Sequence, residues 1–139
     1  MKGVKKVVYD AWKNGTYPSS ATKTLGIKIV ELSEGRSLVE MMVDPKHHNM
    51  SATMHGGIMA DIADAAMGIA IATTIAPQED FTTMEMKISF FRPHIKGPLR
   101  AEGTVAKRGK RVAFTEAVLT NEQKQVVAKA NGTWLFLNA

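Results

Sequence analysis

The sequence predicts an α+β protein in which an antiparallel sheet packs with one buried helix. Three observations lead to it. Residues 55–76 are rich in Ala, Ile and Met, apolar nearly all round and stopped by Pro77, the pattern of a helix inside a protein. Two strand-like runs precede that helix and four follow it. The chain has 139 residues and 45% hydrophobic content, enough for one compact core and too little for two, so residues 1–139 are expected to form one domain.

Val4, Val7, Val8 and Trp12 recur at helical spacing, and Asn14-Gly15 and Pro18 end the pattern, so residues 2–14 are expected to form a short amphipathic helix that covers a sheet edge or end. Residues 25–32 and 36–43 are β-prone around Ser33-Glu34-Gly35 and read as a hairpin. Residues 44–54 are a polar, Met-containing loop leading into the buried helix. Strands are then expected over residues 82–91, 99–107, 111–120 and 125–137. Val105, Val112, Phe114 and Val118 supply two-residue periodicity, while Gly109 and residues 121–124 mark tight connections. No internal repeat, low-complexity run or interdomain linker is visible.

Composition removes several classes of function. Without Cys, disulfides, thiolate nucleophiles and cysteine-based zinc sites are excluded, which suits a cytoplasmic protein. The basic N-terminus lacks a continuous apolar core and a small-residue cleavage site, so no signal peptide is expected. The longest uncharged apolar run, residues 65–77, is short of the ~20 residues that span a bilayer, and no membrane partner is expected. Net charge is +5, and Lys107, Arg108, Lys110 and Arg111 concentrate four positive charges around Gly109. Such a cluster is either a solvated hairpin tip or a contact for an anionic partner. Nucleic acid is disfavoured, since no aromatic residues interleave the cluster and no helix-turn-helix, zinc-finger or RNP pattern occurs.

The chemistry concentrates in His55-Gly56-Gly57 and the two acids that follow, Asp61 and Asp64. Paired glycines let backbone approach a ligand closely, and the free N–H groups of a helix N-terminus favour negative charge developing on a carbonyl oxygen. Asn49 adds a polar group upstream. Asp64 lies past the first turn, where dipole stabilisation has faded, and is flanked by Ile62, Ala63, Ala65 and Ala66. A carboxylate in apolar company is costly unless paired or exposed. It is therefore either functional or, with Asp61 three residues away, part of a solvent-facing stripe. His47, His48, His55 and His94 form no His-Glu-x-x-His pattern, so no metal is expected. No Gly-x-Ser-x-Gly elbow occurs either.

The order Asn49, His55-Gly56-Gly57, Asp64 with Ala65-Ala66-Met67-Gly68, then Thr83-Met84-Glu85-Met86-Lys87-Ile88-Ser89-Phe90-Phe91-Arg92-Pro93, closely resembles the hot-dog-fold acyl-CoA thioesterases of the PaaI (phenylacetic acid degradation) type. The resemblance covers roughly residues 20–137. It implies an antiparallel sheet of five to six strands wrapped around the long central helix, with a short N-terminal helix. It also implies hydrolysis of an acyl-CoA thioester, with aromatic acyl groups ahead of medium-chain fatty acyl groups. By that resemblance the Gly56 N–H polarises the thioester carbonyl, with Gly57 beside it, and Asn49 helps to hold the carbonyl or the water. His55 orients the loop, Thr83 contacts water or acyl group, and Asp64 acts as general base or nucleophile. Asp61 is unmatched and reads as a neighbour that tunes Asp64. Lys107, Arg108, Lys110, Arg111 and Arg92 are candidates for the CoA phosphates. No cofactor is expected, CoA being part of the substrate. The resemblance further implies a homodimer or dimer of dimers, the homotetramer, with Asn49 and Gly56 of one chain facing Asp64 and Thr83 of its partner. The alternatives are an acyl-CoA-binding protein without catalysis and a hot-dog hydratase or dehydratase. The dehydratase pattern His-Phe-Pro-Gly is absent, and about twenty residues before the first strand are too few for a DNA-binding domain of ~50 or more.

Overall fold

The computed structural model describes residues 3–138. Helix α1 (Val4–Asn14) ends at Gly15, whose φ of 64° turns the chain left-handed so that its N–H reaches the carbonyls of Ala11 and Trp12. A second helix, α2 (Ser20–Leu25), was not expected from the sequence. Its start is fixed by a capping box: Ser19 Oγ accepts from the Thr22 N–H and Thr22 Oγ1 accepts from the Ser19 N–H. The first strand, β1 (Lys28–Ser33), therefore starts three residues later than the run at 25–32 predicts. β2 (Arg36–Val43) follows through the expected hairpin.

Central helix α3 (Gly56–Ala72) is followed by β3 (Glu79–Phe90), β4 (Gly97–Arg108), β5 (Val112–Thr120) and β6 (Val126–Asn138). The six strands form one antiparallel sheet in the order β1-β2-β4-β5-β6-β3. α3 packs mainly against β4 and β2 through a buried face of Met59, Ile62, Ala63, Ala66, Met67 and Ala70. Each large apolar side chain buried there contributes about 1.5–3 kcal/mol relative to exposure. Small residues let helix and sheet come close. A Cβ at Gly103 would lie 2.3 Å from the Ala66 carbonyl oxygen, so β4 tolerates only glycine there. Ser37 Oγ donates to that same oxygen over 2.6 Å.

α3 stops at Ala72, short of residue 76. The Thr73 and Thr74 hydroxyls donate to the carbonyls of Ala70 and Ile71, each over 2.7 Å, and Thr73 Oγ1 also accepts the Gly35 N–H from the β1–β2 turn. These bonds satisfy helix-end carbonyls and tie that end to the sheet.

The two sheet edges differ. α1 packs on β1, and Trp12 Nε1 donates to the Val30 carbonyl over 3.2 Å, matching the covering role expected of this helix. β3 pairs with β6 alone among the described residues and presents exposed Met84 and Phe90. Among the described residues no helix is long and apolar enough to cross a membrane.

Candidate active site

The loop before α3 is built to present the helix N-terminus. Asn49 Oδ1 accepts the N–H groups of Ser51 and Thr53, and Asn49 Nδ2 donates to Thr53 Oγ1, which closes a tight loop with Ala52 at a φ of 59°. His48 Nε2 bonds the Ile95 carbonyl, Met54 N–H donates to the His94 carbonyl, and His55 N–H to the His47 carbonyl. The histidines thus pin this loop, and among the described residues no three His, Asp or Glu side chains gather around a possible metal position.

His55 is the helix cap. Its Nδ1 accepts the Gly57 N–H over 3.0 Å, and its carbonyl accepts from Ile58 and Met59. Of the first-turn N–H groups, that of Gly56 is left without an acceptor among the described residues. Gly56 itself lines a cavity of about 360 Å³ together with Asn49, Met54, Met59, Phe90, Phe91 and Arg92. α3 has no acidic residue in its first turn, so nothing on that turn neutralises the positive end of the helix. The Arg92 guanidinium has no partner among the described residues.

Asp64 lies two turns further along α3, half-buried, and accepts a 3.0 Å hydrogen bond from Thr83 Oγ1 on β3. Burial pushes its carboxyl above the ordinary aspartate range; the Thr83 hydrogen bond opposes this, and the nearby charge of Asp61 adds to it. Burial also raises Asp61, which is more exposed. Both acids edge a second cavity of about 320 Å³, roofed by α1 and α2 and floored by Gly68, Phe81 and Trp134. No residue of α1 or α2 is predicted for this site from the sequence; the visible signal is the Val4, Val7, Val8 stripe, whose spacing reads as a sheet-covering face.

The expected residues thus fall into two groups. Asn49, His55, Gly56, Gly57 and Arg92 gather at the α3 N-terminus; Asp61, Asp64 and Thr83 gather on its flank. Eight residues of helix put Gly56 and Asp64 about 12 Å apart along the axis, and the two open into different cavities. Asn49 spends its carboxamide oxygen and one N–H inside its own loop, so it shapes the Gly56 approach.

The basic cluster stands elsewhere. It caps the β4–β5 hairpin beside the start of β3, near the C-terminal end of α3 and far from Gly56. Arg108 is also committed. It stacks on Phe136 at 3.5 Å from the ring centroid, donates to the Gly109 carbonyl and pairs with Glu79. Lys107, Lys110 and Arg111 carry exposed side chains with no ion-pair partner among the described residues.

Residues 52–128 match the family model of the Thioesterase superfamily. The chain is 31% identical over 129 residues to the acyl-coenzyme A thioesterase PaaI of Escherichia coli, covering 89% of each protein. It is 31% identical over 97 residues to acyl-coenzyme A thioesterase 13 of Homo sapiens, covering 69% of each. The solved structure of the E. coli PaaI protein from the phenylacetic acid degradation operon superposes with a TM-score of 0.85 at 24% identity, covering 98% of this chain and 97% of that one.

Proposed function

The chain belongs to the thioesterase superfamily as a PaaI-type thioester hydrolase with the hot-dog fold, and we propose that it hydrolyses acyl-CoA at a site completed by two copies of the chain. One observation carries the second half of this reading. The unpaired Gly56 N–H and the Asp64 carboxylate sit about 12 Å apart along one helix and face separate cavities, so one protomer cannot bring both to the same carbonyl. Gly56 of one protomer opposite Asp64 of its partner satisfies the chemistry. The bare β3 edge with exposed Met84 and Phe90, and Thr83 bonded to Asp64 on that strand, supplies a surface for the pairing.

In that arrangement the thioester carbonyl oxygen accepts from the Gly56 N–H, where the positive helix end stabilises the oxyanion of the tetrahedral intermediate. Asp64, held by Thr83 through Oδ1, has Oδ2 free. It takes a proton from water as the oxygen adds to the carbonyl carbon, or attacks that carbon itself. By the first route the C–S bond then breaks, the thiolate leaves with the proton that Asp64 took from water, and the carboxylic acid is released; by the second, C–S cleavage leaves an acyl–Asp64 anhydride, which a water molecule then hydrolyses to the carboxylic acid and free Asp64. Both routes need ionised Asp64. Arg92, unpaired beside Gly56, contacts a CoA phosphate, and Lys107, Lys110 and Arg111 steer the polyanion through their field.

Thiol release from a panel of acyl-CoAs tests the activity. Turnover that Asp64→Asn removes is the expected result; tight acyl-CoA binding without thiol release would make the chain an acyl-CoA-binding protein instead.

A further inference from the structure

The cavity between the N-terminal helices and α3 is an open cleft of about 320 Å³, and neither Gly56 nor Arg92 lines it. Its roof comes from Val4 and Val7 of α1 and from Ala21 and Leu25 of α2; its floor is Gly68, Phe81 and Trp134. The polar groups in these walls are already engaged. Trp134 Nε1 donates to Thr115 Oγ1 over 2.8 Å, so the indole offers the cavity only carbon. Ser19 and Thr22 hydroxyls bond each other, and Thr22 Oγ1 bonds the Ser19 carbonyl. Phe81 packs edge-on against Trp134, 5.6 Å between centroids. A Cβ at Gly68 would come within 3.1 Å of the Trp134 ring, so glycine gives the floor its room.

Among the described residues, the only charges along the lining are the carboxylates of Asp61 and Asp64 at its edge, and no described cation lines it. A phosphate-bearing nucleotide arm is therefore repelled, whereas an apolar tail enters without leaving any wall group unpaired. We propose that this cavity is the acyl pocket, and that it selects an unsubstituted apolar acyl group, aliphatic or arylacetyl, of up to roughly ten carbons at interior packing density. An acyl group with a terminal carboxylate buries that charge in the apolar depth, beyond the thioester at Asp64 and with no counter-charge among the described residues, and is rejected. This rests on the thioester-hydrolase reading, and it makes α1 and α2, rather than the sheet, the elements that set acyl selectivity.

Acyl selectivity of Ala21→Phe and Leu25→Ala tests it. Ala21 is exposed on α2, so a larger side chain there fills the cavity without entering the core. Ala21→Phe should lower kcat/KM for octanoyl-CoA and phenylacetyl-CoA by about tenfold or more while leaving acetyl-CoA within about threefold. Leu25→Ala should move the optimum to longer chains, and adipoyl-CoA should lie at least about tenfold below octanoyl-CoA. Profiles that fall evenly at all chain lengths, or do not move, overturn the pocket while leaving the hydrolase reading intact. If no acyl-CoA is hydrolysed, the hydrolase reading fails and Trp134 still reports on the pocket. In a Trp12→Phe background, the uncharged probe 1-decanol should change Trp134 fluorescence saturably, and Ala21→Phe should abolish that change. No saturable change, or one that Ala21→Phe leaves intact, overturns the pocket as well.

Discussion

Gly56 and Asp64 ride the same helix in opposite surroundings. Gly56 stands at the positive end, beside a polar loop and an unpaired arginine, with its N–H unspent. Asp64 stands on the flank beside an apolar cavity, where burial makes its negative charge costly and one threonine hydroxyl partly offsets that cost. One environment is ready to receive negative charge; the other keeps a carboxylate basic. A single helix offers both because its end exposes backbone dipoles and its flank exposes only side chains. Being rigid, it also holds them too far apart to act on one carbonyl.

Removing either half should cost most. Asp64→Asn should lower kcat by on the order of a hundredfold or more with little change in KM, as for a group acting in the transition state. It should also stabilise the fold. Because the folded-state pKa of Asp64 is raised, its ionised form weakens the native state as pH rises through that pKa. Asp64→Asn should then melt higher at neutral pH, with the gain vanishing below the unfolded aspartate value of about 3.9. Equal activities for Asp64→Asn and wild type would remove the carboxylate from the mechanism. Gly56→Pro addresses the other half. The first helical position tolerates proline, and His55 already has the extended backbone (ψ of 131°) that suits a residue before proline. A Cβ there comes to 3.2 Å from the exposed Phe90 ring, which must give slightly; the N–H is deleted while the helix remains, so kcat should fall by roughly a hundredfold or more with circular dichroism unchanged. A fully active Gly56→Pro would assign the oxyanion to another donor.

Smaller effects separate the two neighbourhoods further. Arg92→Gln should raise KM for acyl-CoA several-fold, while Lys107, Lys110 and Arg111 changed together to Gln should chiefly flatten the rise of KM with salt. A larger KM change in the triple variant would transfer the phosphate contact to the hairpin tip. At the flank, Thr83→Val removes the hydrogen bond that lowers the Asp64 pKa, so the acid limb of the rate profile should move to higher pH. Asp61→Asn removes a like charge and should move it to lower pH, with activity at neutral pH close to wild type. Shifts in the same direction would contradict this account of the carboxylate.

Much of this architecture was legible in the sequence because it follows from periodicity and turn chemistry. The buried helix within the apolar run at 55–76, ended four residues early by Thr73 and Thr74, the hairpin at Gly35 and the turn at Gly109 lie where local rules put them. α2 escaped because six residues carry no apolar period, although Ser19 and Thr22 at capping spacing and Gly26 were its local marks. The early start of β3 escaped because Glu79 and Asp80 read as loop residues until pairing with β6 claims them. The site residues were visible as types, and the resemblance grouped them. Their division between two cavities depends on helix rise and on which end of α3 each strand reaches. The same holds for the basic cluster: its charge is local, but its distance from Gly56 is topological.

Subunit complementation tests the shared site most directly. Gly56→Pro and Asp64→Asn chains, each nearly inactive alone, are unfolded, mixed in equal amounts and refolded, giving about half mixed dimers with one intact site of two. The account predicts recovery to roughly a quarter of wild-type activity by that mixing arithmetic. If native mass spectrometry shows the mixed dimers and activity stays at the level of the single variants, Gly56 and Asp64 do not meet across protomers and the two-chain site is wrong.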